Sequence, residues 1–591
     1  MSKSVSEQQT EDGVRSGTRT VAALAPRFEA ALANPVVAYA GIILLQLRPI
    51  WNVWRYKDLT YGDTAGYYTL AIGWWNALRD HIDWSPLYTN FFGTVVGIFG
   101  SVYAGEIAHR IAIVFAATLL VLALMRSLLG PTIGFLIAAW WAVLPPNYNV
   151  LYEVHLFGLL PILVAALVVR RNPGRGALGL ALAILALSTL LLRNEMLIAT
   201  VVLGIGIVVH EVRARRAERV PAGAYLKAYG LPLLVVLLLF GGAYWRSYLH
   251  GHAALEVFRT KHTLNVCQVY AFSYQQRHPQ RFRGSPFTDC APLMKREFGK
   301  DMPSLLQATA ANPGAIARFV GWNVRLLGSG LQVALFGATA TGDNPDYPPP
   351  PRHRNYTIPL SILMVAIVVA GLVAIRRDRR FWRSSWFAPR KWCVTVLAGV
   401  SLTTVVVVLT QRPRPEYMFP LTVSILALIG VCVSALLRRS GFVRWAAPVV
   451  AVTAVVLFAA MPTYYHPGPR PIHDGLARLQ VARNDLQAGT ILVASGYGTE
   501  LCSYLARGGD SHCEPADWAA IASKLDAGEP LPRILERVRA TAIYVDPTMG
   551  RLPAVRKLLA APTRVGWRKV SSGAGADGSW AVLLRKGVAG A

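Results

Sequence analysis

The sequence predicts a polytopic α-helical membrane protein of about eleven transmembrane helices, with an extracytoplasmic α/β domain at its C-terminus. Three observations carry this expectation. Of 591 residues, 53% are hydrophobic and only 16% charged, where a soluble chain holds about a quarter charged. Apolar runs of about twenty residues, enough to cross a bilayer as a helix, recur through most of the chain. Beyond about position 462 the runs stop, and short β-type segments alternate with helical ones.

The net charge is +28, which on a soluble chain would point to nucleic acid. Here the cations gather between apolar runs, at Arg170-Arg171, Arg213 to Arg219, Arg376 to Arg383 and Arg438-Arg439. The positive-inside rule gives cytoplasmic loops this distribution, so nucleic acid is set aside as a partner.

The elements follow in order. Residues 1–35 are polar, lack periodic apolar positions and read as a disordered cytoplasmic tail. Spans are expected at about 36–53, 107–126, 131–146, 150–169, 177–192, 195–211, 228–248, 357–375, 392–410, 417–436 and 444–461. The transmembrane domain thus covers 36–461. Its first run is long and lies late, which fits an uncleaved anchor better than a signal peptide.

With the N-terminus in the cytoplasm, the basic loops fall inside and three large pieces fall outside: 54–106, 249–356 and 462–591. Cys267 and Cys290 share the second piece, Cys502 and Cys513 the third, while Cys393 and Cys432 fall in or near spans. Cysteines segregated to one side suit an oxidising compartment, and the expected disulfides are Cys267–Cys290 and Cys502–Cys513.

In the C-terminal piece, strands are expected at Ile491 to Ser495, Thr541 to Val545 and Trp580 to Leu584, with helices near 513–525, 531–539 and 553–560. Ser495-Gly496-Tyr497-Gly498 follows the first strand as a phosphate loop would. It lacks the full glycine fingerprint, so a structural turn fits better.

Candidate chemistry crowds the outer ends of the spans, where an ionisable group needs a role or a partner. The first outer piece reads Tyr61-Gly62-Asp63-Thr64-Ala65-Gly66-Tyr67-Tyr68 and then Trp84-Ser85-Pro86-Leu87-Tyr88. Tyr68, Ile72, Trp75 and Leu78 recur at helical spacing, predicting an amphipathic helix along the membrane surface. Asp63 precedes it, as a proton acceptor or as a plain helix cap. Arg193, Arg412 and Arg414 lie at the outer face, where the positive-inside rule does not place them. Their forked guanidinium groups suit a lipid phosphate, or pair with Glu195 and Glu416. Glu153 and His155 cluster at an outer span end with Glu106 and His109. Their spacing matches no standard metal motif, and a satisfied polar pair between helices fits better. Arg259, Lys261, His262, Arg281 and Arg283 make the second outer piece basic, and Pro348 to Pro351 reads as a stiff extended segment.

An early outer loop with an acidic residue, a Tyr a few residues on, a surface helix and a Pro-Leu-Tyr segment resembles the GT-C superfamily of membrane glycosyltransferases. The protein mannosyltransferases and the lipid A aminoarabinose transferases are in that group. Later landmarks are similar in order: Leu144-Pro145-Pro146, Leu192-Arg193-Asn194-Glu195 and Arg412-Pro413-Arg414-Pro415-Glu416-Tyr417. The resemblance covers about 50–460 in layout. It implies an inverting glycosyltransferase that takes sugar from a polyprenyl-phosphate donor to an acceptor hydroxyl outside the cytoplasm. Asp63, as the base, is the one residue the resemblance carries over; by their own position and chemistry Arg414, Arg412 and Arg193 would hold the donor phosphate, and Glu153, His155 and Tyr67 would serve the acceptor side.

Many members carry an acidic pair or Asp-x-Asp in this loop. Here Thr64 follows Asp63, which leaves the metal open, with Mg or Mn as the candidate; no nucleotide is needed. The expected partners are membrane lipids and a glycan, lipid or protein acceptor. A glycan ligase or polymerase using diphosphate-linked oligosaccharide is the alternative, and a lipid or sugar transporter a more distant one. Richness in Ala and Arg suggests a bacterial plasma membrane as the location.

Overall fold

The computed structural model describes residues 27, 29–51, 53, 62–77, 85–99, 102–148, 153–215, 221–249, 254–346, 349–440, 475, 478–479, 489–496, 498–505, 513–575 and 578–586. The chain divides into two units, one of residues 1–51 with 111–464 and one of 52–110 with 465–591.

In the first unit, ten of the eleven expected spans fall on helices. Among the described residues, seven helical stretches are long and apolar enough to cross a membrane: Ala104–Leu129, Glu153–Arg171, Asn194–Ala214, Ala222–Leu249, Arg354–Arg377, Arg379–Thr410 and Pro415–Arg438. Three shorter apolar helices, Pro35–Ile50, Pro131–Val143 and Arg175–Leu191, fall where spans were also expected. The expected span 444–461 and residues 1–26 of the expected tail lie outside the described residues.

Local chemistry sets the helix ends. Asn34 accepts a hydrogen bond from the Val36 N–H, with Pro35 at the first helical position. The expected span 131–146 stops at Val143, because Leu144 precedes Pro145 and is held extended. Glycines let neighbouring helices touch: a Cβ on Gly179 would lie 1.7 Å from the Ala228 oxygen, and one on Gly371 2.3 Å from the Cys432 Cβ.

The stretch expected as a basic outer piece folds as four helices, Ala254–Arg277, Cys290–Phe298, Leu305–Ala311 and Pro313–Phe336. They enclose a core of Val266, Tyr270, Leu293, Met294, Phe298 and Phe319, closed by the Cys267–Cys290 disulfide. Ser304 and Gln307 cap the third helix reciprocally, and Asn312 caps the fourth. Arg259 and Pro348 lie outside the residues whose side chains are described.

In the second unit, helices Gly62–Ala77 and Pro86–Phe99 pack tightly, since a Cβ on Gly93 would lie 2.2 Å from the Ala71 oxygen. The first falls where the amphipathic helix was expected, but its apolar residues are not gathered on one face. Tyr68 and Ile72 are buried and Trp75 is 44% exposed. It begins at Gly62, so Asp63 lies inside its first turn rather than before it. An acidic residue suits that position because the helix dipole is positive there.

Five strands form a mixed sheet in the order β2-β1-β3-β5-β4. They are β1 (Thr490–Ala494), β2 (Cys513–Pro515), β3 (Ala542–Val545), β4 (Trp567–Gly575) and β5 (Gly578–Arg585). β1 runs parallel to β2 and β3, and β5 is antiparallel to both β3 and β4. The helix expected at 513–525 starts only at Trp518, because Cys513–Pro515 pairs with β1 and Asp517 caps the helix by accepting from the Ala520 N–H. The expected helices 531–539 and 553–560 appear as Leu531–Arg537 and Pro553–Ala560. Val493, Ile543, Val545 and Leu583 alternate onto one face and pack under the helices. Cys502–Cys513 ties helix Gly498–Leu505 to β2, and that helix also packs against Gly62–Ala77.

Two outcomes follow from these cores. Alkylation under denaturing, non-reducing conditions should label only Cys393 and Cys432, the two free thiols; labelling of all six cysteines would contradict both disulfides. Burial, joined by the nearby Glu297 carboxylate, pushes the Tyr270 hydroxyl up to about 12. The unfolded value is about 10, so this contribution to stability is complete below about pH 10 and is lost as pH rises through about 12. Alkaline titration should show Tyr270 phenolate, and loosening of this core, only in that window.

Candidate functional site

The segment after helix Lys391–Thr410 is dictated by its prolines. Pro415 holds Arg414 in extended backbone, at φ −67° and ψ 141°. Pro415 then starts a short 3-10 turn, Pro415–Met418. Helix Pro313–Phe336 approaches this segment at Gly330, where a Cβ would lie 2.4 Å from the Pro413 oxygen.

Both arginines are buried and both are engaged. Arg414 Nε donates to Asp346 Oδ1 at 3.3 Å, and its Nη2 pairs with the Glu416 carboxylate. Arg412 Nη2 donates to the Asn344 oxygen at 2.7 Å, and its guanidinium lies 4.1 Å over the Phe272 ring. The Asn344 oxygen also accepts from Gln276 Nε2 at 3.0 Å. Gln276 Oε1 in turn accepts from Trp322 Nε1 at 3.1 Å. Loop 344–346 is therefore fixed by the arginines and by the helical piece together.

Tyr417 gathers the remaining groups. Its ring centre lies 5.1 Å from the Arg414 guanidinium, 5.7 Å from that of Arg193 and 4.7 Å from the His155 ring, which meets it edge-on. Arg193 pairs with Glu195. Helices Glu153–Arg171 and Lys391–Thr410 border a small, partly open cavity of about 30 Å³ lined by His155, Gly158, Arg193, Glu195, Thr403, Thr404, Glu416 and Tyr417. Thr403 and Thr404 send their hydroxyl protons back to Gly399 and Val400 carbonyls, which leaves oxygen lone pairs as acceptors on this wall.

Of the residues expected at the site, the structure places His155 and Arg193 on the cavity, with Arg414 against the Tyr417 ring but off the lining. Arg412 turns to loop 344–346 instead and does not line the cavity. Glu153 is buried at the head of its helix, also off the cavity. Both pairings open to the arginines, with Glu195 and Glu416, are formed. Tyr67 belongs to the second unit, buried with its ring 5.1 Å from Tyr88. The Asp63 side chain lies outside the described residues. Tyr417 and Asp346 were missed. Tyr417 stood in the quoted motif, but an aromatic beside two arginines gives no sign of its direction. Asp346 is distant in sequence.

The second unit carries a polar pair of its own. His109 Nδ1 lies 3.4 Å from Glu106 Oε2, and His109 Nε2 lies 3.1 Å from the Tyr88 hydroxyl. Glu106 and His109 are buried. An imidazole and a carboxylate side by side are ligand types for a divalent ion, with the second ring nitrogen oriented by Tyr88. This pair therefore fits part of a metal's ligand set.

No family model matches this chain, and no curated protein matches it. Among solved structures it matches ArnT of Cupriavidus metallidurans and the oligosaccharyltransferase of Archaeoglobus fulgidus. ArnT from Cupriavidus metallidurans bound to undecaprenyl phosphate aligns with 12% identity and a TM-score of 0.42, over 95% of this chain and 98% of that one. The Archaeoglobus fulgidus oligosaccharyltransferase in complex with zinc and sulfate aligns with 12% identity and a TM-score of 0.41, over 87% and 68%. The same organism's AglB, in complex with an inhibitory peptide and a dolichol-phosphate, aligns with 14% identity and a TM-score of 0.41, over 89% and 70%. At these scores the likeness assigns no residue a role.

Removing one member of a buried ion pair leaves the other uncompensated, at a cost of about 3–5 kcal/mol. Arg414→Ala should therefore lower the melting temperature of the purified protein sharply, whereas Arg325→Ala, at an exposed pair with Asp343, should barely change it. Equal, small effects would show that the Arg414 pair is solvated.

Proposed function

We propose that this chain is an inverting glycosyltransferase that moves a sugar from a polyprenyl-phosphate donor to an acceptor hydroxyl on the extracytoplasmic side of a bacterial plasma membrane. The observation that carries this reading is the cavity at one end of the spans, with Arg193 and Arg414 on one aromatic ring and acceptor oxygens on the facing wall. Guanidinium groups there can meet a lipid phosphate at headgroup depth while the polyprenyl tail lies along apolar helices.

The orientation is supported by the charge at the opposite span ends. Arg170-Arg171 close helix Glu153–Arg171, whose other end carries His155, and Arg390-Lys391 open helix Lys391–Thr410, whose other end carries Thr403 and Thr404. The positive-inside rule puts those basic ends in the cytoplasm and the cavity outside. The four-helix piece, with its disulfide, follows the span Ala222–Leu249 on the cavity side.

Asp63 takes the proton of the acceptor hydroxyl, and that oxygen attacks the anomeric carbon from the face opposite the phosphate. One C–O bond forms, the bond to the lipid phosphate breaks, and the phosphate leaves with its charge balanced by arginine. A single displacement inverts the anomeric centre. N–H donors remain for the phosphate because a guanidinium has five, more than its carboxylate partner takes. A divalent ion held by Glu106 and His109 would supply Lewis acidity when bound.

The test is transfer from polyprenyl-phosphate sugar in membranes carrying the full chain, read as release of polyprenyl phosphate. Asp63→Asn should reduce release by about 10²–10⁴-fold while leaving the melting temperature unchanged. Full activity in that variant would remove the base from the mechanism. Turnover of diphosphate-linked donor alone would move the protein to the ligase class.

A further inference from the structure

The end of the first unit opposite the cavity holds an arginine cluster that glycosyl transfer does not use. Three elements meet there: the last turn of helix Val102–Leu129, the end of helix Glu153–Arg171, and the helical run Arg379–Arg390 that leads into Lys391–Thr410. Arg170 Nε donates to the Ser127 oxygen at 3.1 Å. Trp386 Nε1 donates to the next carbonyl, Leu128, at 3.1 Å. Arg390 lies over the Trp386 ring at 5.3 Å, donates to the Trp386 oxygen at 2.9 Å, and is near enough to Arg170 for their charges to repel. Arg126, on the same last turn, donates to the Ala33 oxygen at 3.0 Å.

None of Arg126, Arg170 and Arg390 forms an ion pair among the described residues, and the neighbouring carboxylate, Asp378, is taken by Arg438 at 3.8 Å. Arg390 Nε is buried without a hydrogen-bond partner. Helix capping accounts for a fraction of this charge. The ends of two helices supply about half a negative charge each, against three guanidinium groups. Capping also takes one donor of Arg170 out of five. Holding like charges together near lipid costs energy unless an anion sits among them.

The surroundings say what that anion is. The cluster lies at the ends of membrane spans, at the depth of phospholipid headgroups. Trp386 belongs to an apolar cluster with Ala374, Trp382 and Val431. Phe387, Leu372 and Val373 are 45%, 47% and 45% exposed, which offers acyl chains a surface. Arg171, Arg379, Arg380 and Arg383 are exposed around it and add attraction for anionic lipid. We propose that Arg170 and Arg390, supported by Arg126, bind the phosphate of an anionic phospholipid of the cytoplasmic leaflet. This site is separate from the donor cavity and does not depend on the transferase reading.

The experiment uses the full chain purified in neutral detergent, with thermal unfolding and native mass spectrometry as readouts. The probes are phosphatidylglycerol, phosphatidylcholine and inorganic phosphate. Phosphatidylglycerol should raise the melting temperature and be retained in the mass spectrum, and the other two should do neither. Arg170→Gln with Arg390→Gln should lose at least half of the lipid-dependent shift. Arg390→Lys, which keeps the charge but not the fork, should fold as the parent and lose part of the shift. Equal responses to phosphatidylcholine or to inorganic phosphate, or a full shift in both variants, would overturn the site.

Discussion

A charge taken out of water must find a partner, and much of the first unit is arranged around two arginines that obey this constraint. Arg414 reaches Asp346 and Glu416, and Arg412 reaches the carbonyls of Asn344 and Asp346. Loop 344–346 is thereby tied to the short segment between two spans. Gln276 and Trp322 extend the same network into the disulfide-closed helical piece. Pro415 keeps Arg414 in extended backbone, and both guanidinium groups are buried. Helix, loop and cavity wall are linked by hydrogen bonds that would be weak in water and matter here because the site is buried.

The same low dielectric orders the rest of that unit. Backbone groups in lipid must be satisfied within the chain, so the apolar stretches are helical. Packing between helices then relies on close contact, as at Gly179 and Gly371. Arginines gather at one end of these spans, at Arg126, Arg170 and Arg390, and the cavity lies toward the other.

The spans and disulfides were legible because hydropathy and the side of the membrane constrain them strongly. The four helices of residues 254–336 were not. Their apolar positions are interleaved with Arg, Gln and Tyr, and the mean composition resembles a loop. Strand β4, with its run of Lys569, Ser571, Ser572 and Gly573, carries too weak an alternation to stand out, and it is defined by its pairing with β5. The grouping of residues 52–110 with 465–591 rests on contacts between distant parts of the chain, such as Gly62–Ala77 with Gly498–Leu505, which no local pattern encodes. At the candidate site, Arg193, Arg414 and His155 were legible as polar groups at span ends. Tyr417, which they share, was visible only as a neighbour in sequence.

The most direct measurement is an experimental structure of the protein with a polyprenyl phosphate added. The account predicts phosphate density in the cavity within hydrogen-bond reach of Arg193 or Arg414, with the tail between helices. Phosphate density elsewhere, with the cavity closed by the Glu195 and Glu416 pairings, would contradict it.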